Sequence, residues 1–442
     1  MFTLCFFYCL SSYVFTMFQG KILYGSVANH NVTLLMETSS RPEFCLHSWG
    51  ANSYGQLGQG HVEDLSEPRL SDTTALQNVA IRALIGGGGH TVVITENGEV
   101  FVCGQNHRGQ LGLGHNVDIS TLQLCPSLTQ RVTAVACGWD FTLLLSDCGR
   151  VLACGSNAFG QLGVGQTVTH CADLLVVESL QEPVLSVAAG LRHSLAVTVS
   201  GCVYQWGRGL FNHAKRALSL RAVPSHLSST VPSLVPGLDH KTSHMVAAGS
   251  AHCVCLTGDG DLFLWGSNKH GQLTTTEPFL SSPTLVKRSM LGGEKVMSVW
   301  SGWTHIVAQT ESGRVFTWGR GDYGQLGRQT STSQNPELQP TAPSADGGNQ
   351  EACLPAEVNV LRGATQIACG SEHNHAIVGG CLLSWGWNEH GMCGDGSQSN
   401  LLKPQLVSGL KPLLIGCGAG HSMAVCAATT DSRQNAAVTP PH

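Results

Sequence analysis

The chain has 442 residues, 53 of them Gly, and charged residues make up only 12%. So few charges exclude a charged tail protein, and a net charge of -5 lacks the basic field that sequence-independent nucleic-acid binding requires, so no nucleic-acid partner is expected. The Gly content points to many tight turns, hence to an all-β, loop-rich chain.

At the N-terminus, Met1 to Gly20 carries no charged side chain but holds Phe2, Phe6, Phe7, Tyr8, Tyr13, Phe15 and Phe18. Read as a secretory signal, residues 1–28 end at Ser26-Val27-Ala28, with an Asn31-Val32-Thr33 sequon beyond, although the basic n-region is missing. The other reading is a non-native or alternative start before a soluble domain. Residues 1–43 are therefore set apart as a hydrophobic extension. No membrane contact is expected unless that extension is a signal or anchor, and the secretory pathway is the location only in that case.

Beyond it the sequence repeats. Trp49-Gly-Ala-Asn-Ser-Tyr-Gly-Gln-Leu-Gly58 returns as Cys103 to Gly112, Cys154 to Gly163, Trp265 to Thr274 and Trp318 to Gly327, with weaker copies from Trp206 and Trp385. Interleaved with it, an apolar run ends in Gly-x-x-His at His90, His193, His252, His305, His373 and His421, and Gly138-Trp139-Asp140 is read with Asp where His is expected. After each of these an apolar segment, a short turn and a second apolar segment follow, as in Thr91 to Thr95, Glu96-Asn97-Gly98 and Glu99 to Val102. Asn-Gly between β-rich runs predicts a hairpin, because Gly supplies φ > 0 without steric cost.

Seven units of about 50 residues, each a small antiparallel sheet, cannot bury their faces singly and predict a seven-bladed β-propeller over residues 44–427. Phe44 to Ser48 has no preceding hairpin strand and Leu414 to Val425 no following one. Pairing the N- and C-terminal strands closes the ring and removes a sheet edge. Trp49, Trp206, Trp265, Trp318 and Trp385, with His90, His193 and His421, read as structural repeat positions. Two stretches break the pattern. Trp206-Gly207 is followed by Arg208-Gly-Leu-Phe-Asn-His-Ala-Lys215-Arg216 and then Arg221, with no acid between Glu182 and Asp239. Residues 328–355, rich in Ser, Thr, Pro, Gln and Asn, predict a disordered insertion, and 428–442 a flexible tail. The 18 Cys are scattered without a Cys-x-x-Cys pair, which predicts buried thiols and no metal or cofactor.

These runs resemble the regulator of chromosome condensation repeats from about Cys45 to Val425. Trp-Asp repeats have a shorter period, and kelch repeats lack Gly-Gln-Leu-Gly. Within the family, Trp49 to Gly58, Cys137 to Thr142, Ser301 to His305 and Trp385 to Gly394 look closest to a branch of guanine nucleotide exchange factors linked to secretion. The resemblance implies a monomer of the cytoplasm and nucleus. It also implies that the protein binds a Ras-like small GTPase and promotes nucleotide release, with an exocyst subunit as a further partner. The alternative is a non-catalytic scaffold in vesicle trafficking. By resemblance, His252, His305 and His373, with Glu372, match positions that act in exchange. The departing copies add Asp140, Arg192 and Glu372, and the broken fourth copy adds Arg208, Lys215, Arg216 and Arg221 as an element that reaches the phosphate end or acidic rim of the GTPase. Exchange involves no covalent chemistry, so no catalytic nucleophile is expected.

Overall fold

The computed structural model describes residues 44–329 and 351–427, apart from positions 127, 220 and 240. The N-terminal extension, the C-terminal tail and most of the 328–355 insertion lie outside the described residues. These residues form seven four-stranded antiparallel sheets. The first strand of each sheet packs against the first strands of both neighbours, which makes the sheets blades around a common axis. Blade 1 combines residues 412–427 with 44–70, and blades 2 to 7 span 81–124, 132–176, 184–234, 243–285, 296–357 and 366–406.

Blade 2 shows why the repeat folds as it does. Its strands, from axis to rim, are Ile81–Gly86, His90–Thr95, Val100–Gly104 and Ile119–Leu124. The second and third are buried along their whole length, since a neighbouring blade covers each face, and this explains their continuous apolar character. The expected hairpin joins them, with Gly98 at φ +78 and its N–H donating to the Thr95 carbonyl at 2.9 Å. The Gly after each Trp or Cys is equally constrained. Gly104 has φ +102, and a Cβ there would stand 2.4 Å from the Gly89 carbonyl oxygen, so no other residue fits.

Closure follows the sequence expectation. Phe44–Gly50 pairs with His421–Ala427 in an unbroken register from Phe44↔Ala427 to Gly50↔His421, and its other edge pairs with Leu65–Leu70. Among the described residues the eight buried cysteines include Cys103 and Cys154, which stand where other copies have Trp.

Two stretches differ from the reading of the sequence. The ends of the insertion are ordered: Arg328 Nη2 donates to the carbonyls of Thr317, Glu351 and Leu354 at 3.1–3.3 Å, and Gly319 N–H donates to the Ala352 carbonyl. In blade 4 the expected loop is a short 3₁₀ turn, Arg208–Leu210, leading into the helix α1, Phe211–Leu218. Leu210 and Ala214 are buried with Trp265 of blade 5, so the helix is seated by its apolar side.

Candidate functional site

Antiparallel order puts the turn between the first two strands of each blade, Gly-x-x-His in six of them, and the connection after its Trp or Cys, a Gly-Gln-Leu loop in most, at the same end of the ring, here the loop face; α1 lies at this end too. The seven turns converge on the axis, where Gly87, Gly138, Gly190, Gly249, Gly370 and Gly418, with Ser301 and Trp303, line a cavity of about 80 Å³. Main-chain bonds join the turns, from Ala419 N–H to the Gly87 carbonyl, Gly88 to Trp139, Ser250 to Trp303 and Trp303 to Ser371.

Two of these turns carry a tryptophan. Trp139 of blade 3 and Trp303 of blade 6 meet at the axis with ring centroids 5.4 Å apart. Trp139 lies over Gly88, where a Cβ would sit 2.8 Å from the indole. It is 40% exposed, an unusual state for the largest apolar side chain on a rigid collar. The sequence signal for both was present but unused: the residue after the first Gly of the turn is small or aliphatic in the other five copies.

The repeated histidines do not reach this surface. His252, His305 and His373, expected to touch a partner, are fully buried, as are His90, His193 and His421. Each faces the next blade. His90 Nε2 is 2.9 Å from Thr142 Oγ1, and that hydroxyl donates to the Gln110 carbonyl at 2.7 Å. The hydroxyl proton is thus committed, so the imidazole must donate through Nε2. His421 to Thr91 to the Gln56 carbonyl, His305 to Asn374 to the Gln325 carbonyl, and His373 to Ser422 to the Met392 carbonyl repeat the relay. His193 faces the Cys253 thiol and His252 the Ser301 hydroxyl. Burial pushes His90 and His252 down to about 3 and His193 and His421 to about 4, so all stay neutral.

The same loop carbonyls hold the repeat tryptophans. Trp206, Trp318 and Trp385 donate from Nε1 to the carbonyls of Gln161, Gln272 and Gln325, and Trp49 to that of Met392, at 2.8–3.1 Å. Cys103 and Cys154 replace the indole at 3.6 and 3.4 Å from the Gln56 and Gln110 carbonyls. The Gln-Leu turn is therefore a latch between blades. Blade 4 lacks it, and the Gln205 side chain substitutes, its Oε1 accepting from Trp265 Nε1 at 2.7 Å and from the Cys253 thiol at 3.8 Å.

Asp140 does not replace a histidine. Phe141 pairs with Gly155 as His90 pairs with Gly104, and its ring fills the space over Gly138 that the imidazole fills over Gly87. Asp140 instead shares the preceding position with Arg192 and Glu372. It is partly exposed; burial raises its carboxyl, against the pull of Ser156, Arg108 and Arg192. Glu372, expected as a surface acid, is 6% exposed. Thr304 Oγ1 donates to both its oxygens and Gln325 Nε2 to one, all at 2.7 Å, with His305 Nδ1 at 3.8 Å. Burial alone would raise this carboxyl, but contacts with His305, Thr304 and Gln325 hold it below the ordinary range. It braces blades 6 and 7.

The basic residues do surface. Arg192 is exposed, its guanidinium 4.5 Å above the Phe159 ring; Arg208 lies 4.8 Å above Phe211; and Lys215, Arg216 and Arg221 are exposed on and after α1. Among the described residues one trio of metal-type ligands meets, His373, His375 and Cys417, with ligand atoms within 4.8 Å of one another. Both imidazole Nε2 atoms contact the Ser422 hydroxyl, and metal bonds of about 2.0–2.3 Å would require the blades to close up.

The profile of the RCC1-like domain matches residues 45–424. The chain is 50% identical over 386 residues to the secretion-regulating guanine nucleotide exchange factor of Bos taurus, covering 86% of this chain and 83% of that protein. It is 49% identical over 390 residues to its Mus musculus counterpart, with the same coverages. The crystal structure of Prp20p from Saccharomyces cerevisiae, a protein described as binding Gsp1p and histones, superposes with a TM-score of 0.73 at 24% identity, over 90% of this chain and 95% of that one. At that identity the likeness is one of fold.

Proposed function

Because the chain belongs to the RCC1-like domain family and is half identical to secretion-regulating guanine nucleotide exchange factors over most of its length, we propose that it binds a Ras-like small GTPase on the loop face and promotes nucleotide release in the service of secretion, acting in the cytoplasm and nucleus. The observation that carries this reading is the exposed Trp139, tilted against Trp303 at the axis and flanked by Asp140 and Arg192. An aromatic anchor on a preorganised collar is the usual centre of a protein interface.

The mechanism is linkage. A protein that binds the nucleotide-free GTPase more tightly than the loaded form must lower nucleotide affinity by the same factor. A rigid ring suits this task, since strain then falls on the partner rather than on the propeller. One observation favours the second reading, a non-catalytic trafficking scaffold. With Glu372 buried, Asp140 is the one acid that these turns present to solvent.

Release of mant-GDP from a panel of small GTPases decides between the two readings. Exchange predicts acceleration of at least about tenfold for one of them, equivalent to about 1.4 kcal/mol, and its loss in Trp139→Ala without loss of thermal stability. Unchanged release across the panel would discard exchange and leave the scaffold.

A further inference from the structure

We propose that the rim of the loop face over blades 4 and 5 is a second docking site, which takes an extended acidic segment of a protein partner independently of nucleotide exchange. Blade 4 presents α1 where other blades carry the Gln-Leu loop. The helix is anchored by Leu210 and Ala214, so its outward face is ordered before any partner arrives. Lys215 and Arg216 lie in its last turn, and Arg221 follows. Arg192 and Arg208 are continuous with it, because Gly209 N–H donates to the Arg192 carbonyl and Arg208 N–H to that of Phe159. Their guanidinium groups rest on the Phe159 and Phe211 rings, which reduces the entropy lost when they grip a carboxylate. Lys269, exposed on the blade 5 loop, completes the arc: the cations of Arg216 and Lys269 both act on His213.

Among the described residues these cations have no carboxylate partner of their own. Arg69, Arg288, Arg314 and Arg320 are each paired with an acid at 3.4 Å or less. Among the described residues none of Arg192, Arg208, Lys215, Arg216, Arg221 and Lys269 forms such a pair; Asp140, shared between Arg108 and Arg192, acts on the arc only at its edge. The loops of blades 1 and 7, across the same face, expose Glu63, Asp64, Glu389 and Asp395. A membrane plane or long nucleic acid laid on the loop face would meet those acids as well as the bases. A narrow acidic segment along the arc meets an excess of bases, with Glu277 an exposed acid on the loop of Lys269, and this favours a peptide. Arg192 borders Trp139 at the inner end of the arc, but α1 packs on the third and outermost strands of blade 5, away from the axis, so a partner can sit at each.

The test uses the full chain and a fluorescein-labelled deca-glutamate peptide, followed by anisotropy at low and physiological salt. Saturable binding is expected, falling at least tenfold in Lys215→Glu/Arg216→Glu and severalfold in Arg192→Lys, which keeps the charge but loses the planar fork. Arg150→Glu/Arg362→Glu, at the opposite end of the ring, should leave it intact, as should Trp139→Ala. Absence of saturable binding, equal losses in the control pair, or tighter binding to single-stranded RNA or to phosphatidylserine vesicles than to the peptide would overturn the proposal. So would a Lys215→Glu/Arg216→Glu variant that still binds the peptide but no longer accelerates nucleotide release, since α1 would then belong to the exchange surface.

Discussion

The seams into blade 1 and into blade 5 solve one problem in opposite ways. At the first, Met392 stands where other copies have Gln, yet Trp49 is held at 2.9 Å, because the acceptor is the Met392 main-chain carbonyl. At the second, the whole loop is gone and Trp265 would be left with a buried, unsatisfied N–H. The Gln205 side chain supplies the oxygen instead, at a cost of about 1–3 kcal/mol avoided. What the repeat preserves is a carbonyl at a fixed place, not a residue. Freed from its loop, blade 4 could present a helix.

The largest effect should come from the closing blade. Deleting residues 1–40 leaves every described contact in place, whereas deleting 1–50 removes Phe44–Gly50 together with Trp49, exposing two sheet edges. The expected outcome is near-native melting for the first truncation and loss of a cooperative transition for the second. Equal melting temperatures would show that the N-terminal strand is dispensable.

Acid comes next and acts on the seams held by His90, His193, His252, His375 and His421. In the unfolded chain these imidazoles take up protons near pH 6.5, but in the folded ring His193, His375 and His421 do so only at about 4 and His90 and His252 at about 3. The unfolded state therefore binds more protons across that window. Stability should be flat above about pH 7 and fall as pH drops from about 6.5 towards 4, by up to about 1.4 kcal/mol per unit for each such histidine. Denaturant midpoints measured against pH check this, and His90→Gln should make the slope shallower.

The smallest effect sharpens the comparison itself. Gln205→Leu strands Trp265 Nε1 and should cost about 1–3 kcal/mol. Met392→Leu leaves its carbonyl in place and should cost less than about 1.5 kcal/mol. If the two variants lose equal stability in urea, the latch at the fourth blade is not what holds Trp265.

Much of this was legible along the chain. The period, the hairpin at Glu96-Asn97-Gly98 and the pairing of the two end strands are local turn chemistry repeated at equal spacing, and a fixed spacing of sheet units admits few architectures. The candidate site was less legible. Register placed Phe141, not Asp140, in the histidine position, and a shift of one residue changes which side chain points inward. Likewise Glu372 reads as a solvated charge until Thr304 and Gln325, 68 and 47 residues away, are brought against it.

By itself, then, the sequence determined seven blades, their closure and the unusual character of the fourth copy, because glycine φ preferences, apolar runs and spacing act over a few residues. Tertiary structure alone decided which charged residues reach solvent, that six histidines face inward, that Gln205 replaces a missing loop and that Trp139 meets Trp303 across the axis. Those outcomes depend on what the neighbouring blade supplies, and a partner one or more repeats away in sequence leaves no trace in the local pattern.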